Sequence, residues 1–74
     1  MGKTLFNSDI QVILYRPIEP YDDRPFKKEI HYIKGIMKAL HYAFGVMEDK
    51  SNDLTGAFFY TRDGEFLKDI QMSV

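Results

Sequence analysis

His31 and His41 are the first residues to test for chemistry in this 74-residue chain. With Lys27, Lys34 and Lys38 they recur at alternating steps of four and three, the spacing of one face of an α-helix. Ten residues is nearly three helical turns, too long a separation for two imidazoles to share a metal ion. A basic stripe of this kind suits a solvated face first, and contact with phosphate or an acidic partner second. The chain has no cysteine, which removes a thiol nucleophile, a zinc-thiolate site and a disulfide framework together. The carboxylates are spread over loops and turns, and no nucleophile, base and orienting acid fall into a constellation. Met1-Gly2-Lys3-Thr4 fails as a phosphate loop, which needs a second glycine five residues before the Gly-Lys pair. It fails as a myristoylation signal because Phe6 stands where serine or threonine is wanted. The expectation is therefore no catalytic residue, no metal and no cofactor.

The basic stripe belongs to a longer pattern. Phe26, Ile30, Ile33, Met37, Leu40, Phe44 and Met47 also alternate by four and three, and Ile36 and Ala43 widen their stripe. The spacing predicts one long amphipathic helix over 26–47, with Asp22, Asp23 or Arg24 as N-cap and Pro25 in its first turn. Its third face carries Tyr32, Gly35, Ala39, Tyr42 and Val46. Gly35 lowers helix propensity by about 1 kcal/mol relative to alanine, which makes most sense if another backbone approaches there. Gly45 either ends the helix as a C-cap or lies within its last turn.

Around the helix the chain reads as sheet and connector. Ile10–Tyr15 is a strand with Ile10, Val12 and Leu14 on one face, and Leu5-Phe6 extends it or forms a short edge strand. The segment 16–25, with Pro17, Pro20 and Pro25, is a stiff connector or an acidic docking loop built on Glu19, Tyr21, Asp22 and Asp23. Residues 48–53 read as loop. Leu54–Arg62 and Glu65–Met72 read as strands around a two-residue Asp63-Gly64 turn. That turn places Arg62 opposite Glu65, Tyr60 opposite Leu67 and Ala57 opposite Ile70. Ala57, Phe59, Phe66, Ile70 and Met72 then face the helix. Phe58, Tyr60 and Leu67 face away with Arg62, Glu65, Asp69 and Gln71.

The totals bound the reading. A hydrophobic fraction of 45% and an aromatic fraction of 15% suit one small folded domain over 1–74. A chain of this length buries only about 60% of its unfolded surface, and without disulfides the available support is association. The net charge of -1 exerts no global pull on nucleic acid or anionic membrane. No apolar run has the length of a membrane span or the shape of a signal peptide, so the expected location is the cytoplasm.

Leu54-Thr55-Gly56-Ala57-Phe58-Phe59-Tyr60, a turn and then Phe66-Leu67 resembles the second and third strands of BLUF domains, flavin-binding blue-light sensors of ferredoxin-like fold. Ile13-Leu14-Tyr15-Arg16 resembles the end of their first strand, near a tyrosine that takes part in photochemistry. Lys68 stands where the family's glutamine falls, and Asp49 is the nearest residue to its flavin-holding asparagine. The connection from Tyr15 to Thr55 is longer than in the family, and the chain stops after the third strand. The resemblance thus implies half of a ferredoxin-like sheet and no working photosensor.

The expected fold is α+β: a single βαββ unit, half ferredoxin-like, with the long helix on one sheet face. With one helix, one sheet face stays bare, and aromatic residues remain on it. The expected function is a non-enzymatic protein-interaction module, of the type found among phage and mobile-element accessory proteins, that forms a homodimer or binds and modulates a larger protein. Phe58, Tyr60, Leu67 and Arg62 form its first surface, and Tyr32, Gly35, Ala39 and Tyr42 its second. The alternatives are nucleic-acid binding through Lys27, His31, Lys34, Lys38, His41 and the aromatic face, and a degenerate BLUF-like domain.

Overall fold

The computed structural model describes residues 7–16 and 27–72. Its elements are β1 (Asp9–Tyr15), β2 (Lys28–Lys34), α1 (Ile36–Glu48), a 3-10 turn at Lys50–Asn52, β3 (Gly56–Thr61) and β4 (Phe66–Gln71). The four strands make one antiparallel sheet in the order β2-β1-β3-β4. Because β2 and β3 both run opposite to β1, they are parallel to each other. Helix α1 joins them by crossing over β1, a split βαβ unit. The class is α+β with the helix on one sheet face, as the sequence predicts.

The helix bounds are a correction. The predicted helix over 26–47 is divided at Gly35: residues 28–34 form β2 and only 36–48 are helical. Gly35 sits at the helix N-cap position with φ 96° and ψ 128°, a backbone conformation that favours glycine. The glycine therefore marks a break between elements, not the approach of a neighbour to a helix. Two β-branched residues and a tyrosine in Lys28–Lys34 suit a pleated strand, and the edge of β1 is there to pair with it. Gly45 lies inside α1, which runs on to Glu48. The predicted N-cap at 22–25, Phe26, the loop residues Glu19 and Tyr21, and Leu5-Phe6 lie outside the described residues.

Strand β1 alternates as expected: Ile10, Val12 and Leu14 are fully buried beneath the helix. They join Ala57 and Phe59 of β3, Leu54, and Ala39, Ala43 and Met47 of α1 in one core. The helix meets the sheet through alanines, while Met37 and Phe44 of the predicted stripe are exposed. Small side chains on the buried face bring the helix axis close to β1, so the larger residues lie at the flanks.

The β3–β4 hairpin carries a second correction. Its loop is three residues, Arg62 to Gly64: the Thr61 amide donates to the Glu65 carbonyl at 2.8 Å and the Gly64 amide to the Thr61 carbonyl at 2.9 Å. Gly64 has φ 92°, the geometry of a turn that ends in a glycine-type bulge. The register beside the turn is therefore shifted by one, and Tyr60 pairs with Phe66. A β-bulge at Leu67 restores the predicted register, so that Phe59 pairs with Lys68 and Ala57 with Ile70. Phe66 and Leu67 consequently exchange faces. Leu67 packs against the core, and Phe66 stands on the side away from the helix.

Candidate functional site

The face of the sheet away from the helix is built by alternation. Gln11, Ile13 and Tyr15 of β1 stand between Ile30 and Tyr32 of β2 and Phe58 and Tyr60 of β3, followed by Phe66 and Asp69 of β4. Four rings on it touch. Tyr15 is stacked on Phe58 with centroids 4.9 Å apart and planes 10° from parallel. Phe66 meets Phe58 at 6.5 Å and Tyr60 at 5.7 Å, both edge to face. Tyr60 lies 6.5 Å from Phe58. The Tyr15 ring passes over Gly56, where a Cβ would come within 2.3 Å of it, and its hydroxyl accepts from the Gln71 side-chain amide at 3.0 Å. The Thr55-Gly56 step thus has a packing role in this chain: it makes room for an aromatic side chain from the neighbouring strand.

Exposure is greatest on the two edge strands. Phe66 is 53% exposed, Ile30 45% and Tyr32 69%. The charges pointing from this face are Lys28 and Lys34 on β2, Asp9 on β1 and Asp69 on β4. Asp69 pairs directly with Phe58. The patch is an aromatic and aliphatic surface with a balanced charged rim.

Comparison with protein-family models, curated proteins and solved structures returns no match. The reading of the surface therefore rests on its own geometry.

The predicted site residues divide as follows. Phe58 and Tyr60 stand on the outer face, as expected. Leu67 does not, because the bulge turns it to the core; Phe66 takes its place. Arg62 is exposed in the hairpin loop. Tyr32 belongs to the outer face through β2, so the predicted helix surface of Tyr32, Gly35, Ala39 and Tyr42 does not exist as one patch. Ala39 is fully buried against the sheet, and Gly35 is the strand–helix junction. Tyr15, Ile13 and Ile30 were missed. Tyr15 carried a signal: a tyrosine at the end of an alternating strand faces opposite to Leu14.

The basic stripe is dispersed for the same reason. Lys27 donates to the Asn52 carbonyl, and Asn52 in turn donates to the Val46 carbonyl at 2.9 Å, tying down the helix C-terminus. Lys34 lies on β2 and points to the outer face. Lys38 and His41 are exposed on α1, beside Met37. His31 lies on the helix side of β2, where its Nε2 meets Glu29 Oε1 at 3.1 Å and the Tyr42 hydroxyl at 3.3 Å. Both neighbours converge on one ring nitrogen, and no nucleophile joins them among the described residues. Nor do the described residues contain a group of carboxylates and histidines arranged to hold a metal ion. None of their helices is long and apolar enough to cross a membrane.

Proposed function

We propose that this protein is a non-enzymatic interaction module whose working surface is the outer sheet face centred on Phe58, Tyr60 and Phe66. The observation that carries this reading is the contiguity of the four rings on a sheet face that no described element covers. Large aromatic residues in contact, rimmed by mixed charge, supply the anchors on which protein interfaces concentrate their binding energy. Balanced rim charge, with Asp69 beside Phe58, disfavours nucleic acid, because a stacking platform for bases works with surrounding positive charge. A cytoplasmic setting suits a cysteine-free chain that acts on another protein.

Tyr60→Asp and Phe58→Asp test the reading. Each places a charge at the centre of the patch while leaving the buried face intact. The variants are expected to keep the circular-dichroism spectrum of the parent and to lose capture of its protein partner. Full retention of capture by both variants would overturn the assignment. Salt-dependent binding to single-stranded nucleic acid, abolished by Lys34→Glu, would replace it with the nucleic-acid reading. A protein that purifies yellow would replace it with the flavin reading.

A further inference from the structure

The two edges of the sheet differ in how they meet solvent. At β4 the bulge at Leu67 interrupts the ladder, a device that discourages pairing with another strand. At β2 the strand is regular over seven residues, Lys28 to Lys34, and pairs only with β1 among the described residues. Two flanking hydrogen bonds give the direction of its backbone groups. Arg16 donates to the Lys27 carbonyl at 3.1 Å, and Gly35 donates to the Ser8 carbonyl at 2.8 Å. In an antiparallel ladder such pairs alternate with non-bonded ones. Residues 27, 29, 31, 33 and 35 therefore turn toward β1. Lys28, Ile30, Tyr32 and Lys34 direct their N–H and C=O groups to the outer edge.

The geometry points to a second copy of this chain as the occupant of the β2 edge, paired antiparallel about a two-fold axis at Ile30. Side-chain pairing selects this register. With the axis at Ile30, Glu29, which meets His31 of its own chain, also stands opposite His31 of the second copy, and Lys28 opposite its Tyr32. Each contact occurs twice, and the two isoleucines meet on the axis. An axis at His31 would set Lys28 against Lys34 and His31 against itself. An axis at Glu29 would oppose the two glutamates, and one at Tyr32 would set Glu29 against Gly35 and Ile30 against Lys34. The Ile30 register also satisfies the backbone: Ile30 with Ile30 and Lys28 with Tyr32 are all outward-bonding residues, for about six ladder hydrogen bonds. The product is one continuous eight-stranded sheet whose two outer faces, Tyr32 and Ile30 included, form a single surface. This pairing uses the strand edge and stands independently of what binds the aromatic face.

Light scattering on the full chain over a concentration series tests the association. The expected mass rises toward twice 8.7 kDa for the parent. It returns to the monomer value in Glu29→Lys, and recovers in Glu29→Lys combined with His31→Glu, where the acidic and basic positions are exchanged. The chain has no cysteine of its own, so single cysteines report the register. Ile30→Cys places two thiols on the axis within disulfide reach, whereas Tyr32→Cys separates them by about four residues of strand. Rapid cross-linking of Ile30→Cys alone supports the proposal. A parent monomeric at every concentration overturns it, as does faster cross-linking of His31→Cys or Tyr32→Cys. A dimer broken by Phe58→Asp but indifferent to Glu29→Lys also overturns it, because the copies would then meet face to face.

Discussion

The ring of Tyr15 lies flat on that of Phe58, 4.9 Å away, in the space that Gly56 leaves by having no side chain. One residue from each of two adjacent strands is thereby locked against the other. Gly56→Ala is expected to push the Tyr15 ring aside, since its far end is what the new methyl group meets. The loss of stacking costs about 0.5–1.5 kcal/mol, offset by about 0.4–1 kcal/mol from the stiffer unfolded chain. In a Tyr15→Ala background only the second effect remains, so the same substitution should stabilise. Chemical denaturation of the four proteins of this cycle checks the change of sign.

The direction of the β2 backbone predicts an asymmetry between neighbouring prolines. Ile30→Pro removes an N–H that points away from β1, so the sheet should persist with a modest loss of stability. His31→Pro removes one that bonds to β1 and should cost about 3 kcal/mol or more. Thermal denaturation of the two variants decides it. The reverse order would show the ladder to be shifted by one residue.

The exchange of faces at the bulge predicts opposite responses at adjacent residues. Leu67→Asp puts a charge against the core and should unfold the domain or weaken it by several kcal/mol. Phe66→Asp alters only an exposed face and should stay near the ±0.5 kcal/mol of ordinary surface substitutions, apart from its lost ring contacts. Melting temperatures of the pair give the answer directly. A two-residue turn without a bulge would give the reverse order.

Ser51 holds the Asp49 carboxyl below the ordinary aspartate value of 3.8, first through its hydroxyl at 2.6 Å and then through its amide at 3.1 Å. A carboxylate whose pKa is depressed by folding contributes stability above its unfolded pKa and loses it as pH falls through the lowered value. Ser51→Ala should therefore raise the Asp49 titration midpoint and reduce the acid sensitivity of the 3-10 turn. Carboxyl-carbon NMR across acidic pH measures the midpoint. An unchanged midpoint would mean that the hydroxyl is not the main cause.

Local pattern carried much of this protein. The alternation Ile10-Val12-Leu14 is visible without any structure because a period of two admits few other readings. So is the pairing of Ala57 with Ile70, and so is the single helix that must cover one sheet face. The surplus of aromatic residues on the other face follows from the same counting, which is why Phe58 and Tyr60 were legible as surface residues.

Tertiary structure decided what local pattern left ambiguous. Lys28–Lys34 satisfies a helical stripe and also has the β-branched and aromatic residues of a strand. Partnership with the edge of β1 settled it, since a hydrogen-bonding neighbour distant in sequence outweighs weak local propensity. That choice turned Gly35 from a helical residue into a junction, buried Ala39, and scattered the basic stripe. One further residue in the hairpin loop, compensated by the bulge, sent Phe66 outward and Leu67 inward. A shift by one residue reverses the face of every side chain until it is corrected, and composition holds no record of where the correction falls.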